Sequence, residues 1–135
     1  MDASIETIMQ KYVISVAMQD TVEAVEQTLA TRGLSSVPVI DPERKDCFGI
    51  LSAPDLVRFH AAKQNPKVMR AWEVCTPRPI EVDPDISVRE AAALMIKHRI
   101  HHLVVTRNKT IRGFVSSLDM IEHLLAKARE DGPVA

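Results

Sequence analysis

The stretch Gly113-Phe114-Val115-Ser116-Ser117-Leu118-Asp119 decides the fold, because it repeats the earlier stretch Gly49-Ile50-Leu51-Ser52-Ala53-Pro54-Asp55. Both follow the pattern Gly-x-x-Ser-x-x-Asp, and in both a short apolar run leads into a segment with helical periodicity. A pattern that recurs at matching junctions indicates an internal repeat. We therefore expect the chain to consist of two copies of one supersecondary unit.

Working outward from these stretches extends the repeat over most of the chain. A shift of 66 residues aligns Ile14-Ser15-Val16 with Ile80-Glu81-Val82, and Val37-Pro38-Val39 with Leu103-Val104-Val105. Apolar positions at i, i+3 and i+7 predict a helix after Thr21 or Ser87, residues that are suited to capping it. Each copy therefore predicts the order β-α-β-β-α. The predicted elements are first strands at 13–16 and 80–82, helices at 22–29 and 88–96, strands at 37–40 and 103–106, partner strands at 49–51 and 113–115, and second helices from 52 and 116.

The predicted fold class is α/β, with two pseudo-symmetric β-α-β-β-α repeats packed into one module. Repeat 1 is placed at residues 5–65, because a residue before proline avoids helical geometry and Asn65-Pro66 therefore ends its last helix. Residues 66–73 form a linker, in which Trp72 is expected to anchor the connection to the core. Repeat 2 follows at 74–127, and residues 128–135 are expected to form a flexible tail.

Composition restricts the class of function. The 135 residues carry a net charge of -1 and 46% hydrophobic residues, which suits one globular domain with a packed core. Balanced charge and few aromatic residues argue against a nucleic-acid partner. No apolar run approaches the roughly 18 residues of a transmembrane helix, so we expect no membrane contact and a cytoplasmic location. Cys47 and Cys75 fit no zinc or redox spacing.

Motifs of catalysis and of metal binding are missing from the sequence. The chain has no Gly-x-Ser-x-Gly, P-loop or His-Glu-x-x-His pattern, and it has four glycines. His98, His101 and His102 lie near one another in sequence, but no carboxylate or thiol close by completes a metal site. We therefore expect neither an enzyme nor a metal centre.

The Ser-x-x-Asp segments are the candidate chemistry. At the start of a helix the first amides lack intrahelical partners, so they can bind phosphate oxygens together with the hydroxyl of Ser52 or Ser116. The carboxylate of Asp55 or Asp119 can accept bonds from the two hydroxyls of a ribose. The alternative is that each segment only caps its helix, since Ser-x-x-Asp is close to a capping box.

Taken together, the doubled Gly-x-x-Ser-x-x-Asp, the Ile-x-Val segments and the Ser-Val-Pro-Val and His-Leu-Val-Val strands resemble tandem cystathionine-β-synthase (CBS) repeats, a Bateman module. The resemblance covers roughly residues 5–126 and implies clefts between the copies that hold AMP, ADP or ATP in many relatives. It implies that Ser116 and Asp119 pair with Ile14 and Leu34 around one ligand. Around the other, Ser52 and Asp55 pair with Ile80 and Ile100.

Two histidines precede the core strand of the second copy, where relatives place His or Arg near phosphate. These are His101 and His102, whereas the first copy has Ser35-Ser36 there. We therefore expect the Asp119 cleft to bind more tightly than the Asp55 cleft.

The sequence thus predicts a regulatory module that senses an adenine nucleotide. It requires no cofactor beyond this regulatory ligand, forms a homodimer through its helices, and acts on a protein effector that the sequence does not identify. One alternative is a structural or dimerisation module without nucleotide binding. Another is a CBS pair that binds S-adenosylmethionine or a dinucleotide.

Overall fold

The structure is a computed structural model that describes residues 3–130, and its contacts divide the chain into two compact units. Residues 14–79 form one unit, which we call the central unit. The described residues 3–13 and 80–130 form the other, which we call the flanking unit. Each unit has its own hydrophobic core.

The central unit contains a four-stranded sheet in the order β1-β2-β3-β4. Strand β1 is parallel to β2, whereas β2–β3 and β3–β4 are antiparallel pairs. Its elements are β1 (Val16–Ala17), α1 (Val22–Arg32), β2 (Ser36–Ile40), β3 (Cys47–Ser52), α2 (Ala53–Ala61), α3 (Ala71–Val74) and β4 (Thr76–Pro77).

The flanking unit repeats this arrangement around a three-stranded sheet in the order β5-β6-β7. Strand β5 is parallel to β6, and β6 is antiparallel to β7. Its elements are a 3-10 turn (Ile5–Thr7), β5 (Glu81–Val82), α4 (Val88–His98), β6 (His102–Arg107), β7 (Thr110–Ser116) and α5 (Ser117–Glu130). The predicted α/β class and the doubled β-α-β-β-α order are therefore confirmed.

The first helix of each copy begins where the sequence predicts, and it extends two or three residues beyond the predicted apolar stripe. Thr21 Oγ1 accepts from the Ala24 amide at 3.1 Å, and Ser87 Oγ accepts from the Glu90 amide at 3.0 Å. Gly33 ends α1 in the left-handed region, with φ of 65°. The buried stripes also match the prediction: Val22, Val25 and Leu29 in α1, and Val88, Ala91 and Met95 in α4.

Some predicted apolar positions of the helices are exposed instead. Ile96, at the edge of the predicted stripe of α4, is 79% exposed. The apolar side of α5 is exposed as well, because Leu118, Ile121, Leu124 and Leu125 are 50–67% exposed. Met120 is the residue of α5 that lies in the core. Periodicity thus located an apolar face without showing what covers it.

The compact units are offset from the sequence repeats. Residues 5–13 belong to the predicted repeat 1 but pack in the flanking unit, where Ile5 is fully buried in the core. Residues 66–79 pack in the central unit, so the predicted linker 66–73 includes the start of α3, whose Ala71 is fully buried. Within that linker, Trp72 donates its amide to Met18 O at 3.2 Å, and 42% of its surface is exposed.

The repeat boundaries 5–65 and 74–127 stay a prediction from the sequence. Of the predicted tail 128–135, residues 128–130 continue α5, and residues 131–135 lie outside the described part of the chain. Within residues 3–130, none of the helices combines the length and apolarity needed to cross a bilayer.

Gly49 in β3 and Gly113 in β7 allow the segments that are offset from the sequence repeats to pack closely against these two strands. A Cβ on Gly49 would lie 2.5 Å from the carbonyl oxygen of Thr76 and 2.9 Å from Cys75 Sγ. A Cβ on Gly113 would meet the side chain of Met9 and would lie 3.1 Å from the carbonyl oxygen of Gln10. Gly49 and Gly113 thus occupy equivalent positions of the repeat, and each leaves room for a neighbouring segment in its unit.

We predict that Gly49→Ala destabilises the protein more than Gly113→Ala. The nearest obstacle at Gly49 is backbone, which cannot move without disturbing β4, so we expect a loss of about 2–3 kcal/mol in the free energy of unfolding. At Gly113 the nearest atoms belong to a flexible methionine that can change rotamer, so about 1 kcal/mol is expected. Urea denaturation of both variants measures the difference, and equal losses would contradict the steric explanation.

Candidate functional site

The ten predicted site residues are divided between the two units. Six lie in the flanking unit: Ile80, Ile100, His101, His102, Ser116 and Asp119. Four lie in the central unit: Ile14, Leu34, Ser52 and Asp55. The predicted pairings around each ligand join residues of different units and stay predictions. What the structure defines is the local geometry at the junction of β3 with α2 and at the junction of β7 with α5.

At the first junction, the carboxylate of Asp55 is buried and fully engaged. Asp55 is 3% exposed. Its Oδ2 accepts from the amide of Ser52 at 2.9 Å and from the hydroxyl of the same serine at 3.0 Å. Its Oδ1 accepts from Thr76 Oγ1 at 3.0 Å and from Arg58 Nη2 at 2.5 Å. This carboxylate holds the start of α2 to β4.

At the second junction, Asp119 is partly exposed and has fewer contacts. Its Oδ2 accepts from the amide of Ser116 at 2.7 Å, and its own amide donates to Ser116 Oγ at 3.2 Å. Its Oδ1 accepts from Gln10 Nε2 at 3.1 Å. Both aspartates therefore fold back onto the residue that caps their helix, as the capping interpretation predicts.

The first amides of the two helices are less available than the sequence suggests. The Ala53 amide donates to Ser35 O and the Ser117 amide donates to His101 O, both at 2.9 Å. At the first helical position, therefore, neither amide is open to phosphate. The second position differs between the copies: Pro54 has no N–H, whereas the Leu118 N–H has no partner within residues 3–130.

The two histidines occupy different environments. His101 is exposed, and His102 lies opposite Ser116 in the β6–β7 pair. The His102 ring stacks on Phe114, with ring centroids 5.0 Å apart and planes 9° apart. Burial lowers the pKa of His102 below its usual 6.5, the nearby His101 lowers it further, and Asp119 opposes the shift. His102 is therefore mainly a neutral imidazole near pH 7.

We predict that His102 makes the protein less stable in acid. Since its pKa is lower in the folded state, the unfolded chain binds more protons, and the stabilisation present above pH 6.5 is lost as the pH falls through the folded pKa. Urea denaturation between pH 7.5 and pH 5 should show a steeper decline for the wild type than for His102→Gln. Because the other histidines are common to both proteins, parallel curves would contradict this assignment.

Three of the four predicted apolar site residues border a core, and the fourth, Leu34, is more exposed. Ile14 packs against the core of the central unit, and Leu34, which follows the left-handed Gly33, is 37% exposed. Ile80 and Ile100 pack against the core of the flanking unit. All four are accessible enough to contact a ligand, and their role in binding stays a prediction.

Sequence reasoning missed the partners of the two aspartates, Thr76 and Gln10. A signal was available, because the shift of 66 residues that aligns Ile14 with Ile80 also aligns Gln10 with Thr76. Extending the repeat upstream would have shown that both precede a first strand. Neither the ring of Phe114 nor the guanidinium of Arg58 was identified either.

Cys75 also lies near the first junction. Burial raises the pKa of the Cys75 thiol to about 11, and the carboxylate of Asp55 adds to the rise. Such a thiol stays protonated at neutral pH and is a poor nucleophile. Within residues 3–130, no group of three or more His, Cys, Asp or Glu side chains is arranged to hold a metal ion.

Comparison with known families gives the identity of this repeat. The family model of the CBS domain matches the chain twice, at residues 5–62 and 71–126. The chain belongs to the CBS domain family. Both matched CBS domains begin upstream of the first strands, at the segments that contain Gln10 and Thr76.

Curated relatives share this CBS region as part of longer chains. The uncharacterized protein YlbB of Bacillus subtilis (strain 168) is 31% identical over 87 residues, which are 64% of this chain and 59% of YlbB. Inosine-5'-monophosphate dehydrogenase of Halobacterium salinarum is 29% identical over 124 residues, which are 91% of this chain and 23% of the dehydrogenase. The chain thus spans less than two thirds of either relative.

Solved structures share the fold of the CBS pair. A signal-transduction protein with CBS domains from Burkholderia ambifaria superimposes with a TM-score of 0.86 at 24% identity, covering 98% of both chains. CBSX2 in complex with AMP gives 0.79 at 18%, covering 92% of this chain and 97% of CBSX2. The CBS pair of MJ0100, in complex with 5'-methylthioadenosine and S-adenosyl-L-methionine, gives 0.85 at 20%, covering 94% and 99%.

Proposed function

We propose that this chain is a regulatory CBS module that binds one adenosine-containing ligand at the junction of β7 and α5. Two structural neighbours with the same fold hold AMP, or 5'-methylthioadenosine and S-adenosyl-L-methionine. The observation that carries the proposal is the unused acceptor capacity of Asp119. The ligand acts by shifting conformation, with no cofactor and no reaction at the site.

The number of hydrogen-bond donors at each aspartate distinguishes the two junctions. A carboxylate offers about four lone-pair sites. Asp55 receives four donors, from Ser52 N, Ser52 Oγ, Thr76 Oγ1 and Arg58 Nη2, so a ribose would have to displace one of them in a buried position. Asp119 receives two donors and is partly exposed. Two adjacent ribose hydroxyls fit its remaining capacity.

The amides support the same choice. In α5 the Leu118 N–H is available at the positive end of the helix dipole, which favours a phosphate or another electron-rich group. In α2 the equivalent position is Pro54, which cannot donate. The partly buried ring of His102, stacked on Phe114, lies opposite Ser116 at the same junction. The three features fall on one junction.

The adenosine ligand is defined by titrating AMP, ADP, ATP and S-adenosyl-L-methionine into protein that has been stripped of bound nucleotide. Isothermal calorimetry should give one site per chain for at least one of them. Flat titrations for all four would overturn the proposal. The choice among these ligands follows from their relative affinities.

A second candidate function, a structural module without ligand, is favoured by the capping geometry of both aspartates. If the chain is such a structural module, no ligand should raise its melting temperature. A specific ligand at one hundred times its Kd stabilises the folded state by about 2.7 kcal/mol, which a thermal shift assay resolves. The same assay therefore separates the two candidates.

We also propose that the module forms a homodimer through the exposed apolar face of α5. Its four residues, Leu118, Ile121, Leu124 and Leu125, are each at least half exposed, and pairing this face with the same face of a second copy would remove it from water. We expect Leu124→Glu to convert a dimer to a monomer in sedimentation equilibrium. Val57→Glu, on α2, is a control of similar exposure at 69%. A wild type that sediments as a monomer would contradict the dimer.

A further inference from the structure

Gln10 fills part of the acceptor capacity of Asp119 that the proposed ligand would use. Its Nε2 donates to Oδ1 of Asp119 at 3.1 Å, while Oδ2 of the same carboxylate is held by the Ser116 amide. Oδ1 is therefore the oxygen more easily offered to a ribose, because the capping bond at Oδ2 can stay in place. The Gln10 side chain is exposed, so another donor can replace it without opening the core.

The backbone of Gln10 belongs to a segment that is anchored at both ends. Gln10 N donates to Phe114 O at 2.8 Å, and Phe114 N donates back to Gln10 O at 3.0 Å. At the other end, the amide of Val88 donates to Ala3 O at 2.9 Å, at the start of α4, and between the two ends Ile5 is fully buried. Residues 3–10 therefore join strand β7 to the first turn of α4 within the flanking unit.

We propose that Gln10 competes with the ligand for Asp119 and thereby couples ligand occupancy to the N-terminal segment 3–10. This inference rests on the proposed function. With Gln10 bound, part of the Asp119 capacity is blocked, and the apparent affinity is reduced by the fraction of molecules in which the contact is closed. Coupling is reciprocal, so the ligand weakens the contact of Gln10 with Asp119 to the same extent and loosens the attachment of the segment.

The central unit supplies a matched control. Thr76 occupies the position equivalent to Gln10, and its Oγ1 donates to Oδ1 of Asp55 at 3.0 Å. Thr76→Val removes this hydrogen bond while keeping the shape of the side chain. Because we place no ligand at Asp55, the substitution should leave ligand affinity unchanged.

The test compares calorimetric affinities of the wild type, Gln10→Ala, Gln10→Met and Thr76→Val for AMP and for S-adenosyl-L-methionine. Gln10→Met keeps the length of the side chain and removes its donor. We expect both Gln10 variants to bind the accepted ligand about three- to tenfold more tightly than the wild type, the equivalent of one exchanged hydrogen bond. Thr76→Val should match the wild type.

A second measurement follows the segment itself. Amide hydrogen exchange at Gln10 and Phe114 should become faster in the wild type when ligand is added. If the wild type binds but the Gln10 variants bind equally or more weakly, the competition is overturned and the proposed function stands. If the wild type binds none of the ligands, the proposed function fails, and the competition fails with it.

Discussion

Asp55→Ala is expected to lower the free energy of unfolding by about 2–4 kcal/mol, against about 1 kcal/mol for Asp119→Ala. The first substitution leaves the amide and hydroxyl of Ser52 and the hydroxyl of Thr76 without their acceptor at a site where Asp55 is 3% exposed. The ion pair with Arg58 adds little, because the Arg58 side chain is 69% exposed and water can solvate its charge. The second substitution removes an ordinary helix cap.

Urea denaturation monitored by circular dichroism measures both losses. Asp55→Asn is the matched control, since it keeps the shape of the side chain and one acceptor oxygen and should recover part of the stability. Equal losses at the two aspartates would show that burial and donor count do not distinguish them. That result would also weaken the choice of Asp119 for the ligand.

Periodicity and repetition predicted most of the fold. The stripes of α1 and α4, the caps Thr21 and Ser87, and the order of the elements along the chain all depend on residues within about ten positions of one another, where helix and strand periods are visible in the sequence. Because the unit is duplicated, each local pattern occurs twice, and the second occurrence supports the prediction made from the first. The position of residues 5–13 in the flanking unit depends on contacts with residues about 75–110 positions away, and no local pattern encodes it.

The candidate site was predictable in type and less so in detail. The Ser-x-x-Asp motif located both carboxylates, but it is equally consistent with a cap and with a ribose contact. What separates the copies is three-dimensional: Arg58 and Thr76 converge on Asp55, whereas Gln10 alone joins the cap at Asp119 within the described residues. The sequence already shows proline at position 54 and leucine at the equivalent position 118. The structure places both at the second position of a helix, where Leu118 has an N–H group and Pro54 has none.

Asp119→Ala is expected to weaken binding of the adenosine ligand about a hundredfold, whereas Asp55→Ala changes it less than about threefold. Two ribose hydroxyls bonded to an ionised carboxylate each contribute about 1.5 kcal/mol or more, and a loss of about 2.8 kcal/mol corresponds to a factor of one hundred. Asp55 offers no comparable capacity, because its four acceptor sites are filled by its own unit.

Calorimetry at 15 °C, after circular dichroism has shown that the Asp55→Ala variant is folded at that temperature, provides the comparison. Asp119→Asn keeps the size of the side chain and one of its two acceptor oxygens. If the wild-type carboxylate accepts bonds from both ribose hydroxyls, this variant should bind with an affinity between those of the wild type and Asp119→Ala. Ser116→Ala removes the hydroxyl that accepts from the Asp119 amide at 3.2 Å but leaves the carboxylate, so it should weaken binding less than Asp119→Ala. If Asp55→Ala abolished binding while Asp119→Ala retained it, the ligand would lie at the other junction, and the count of free acceptor positions would be the wrong criterion for locating it.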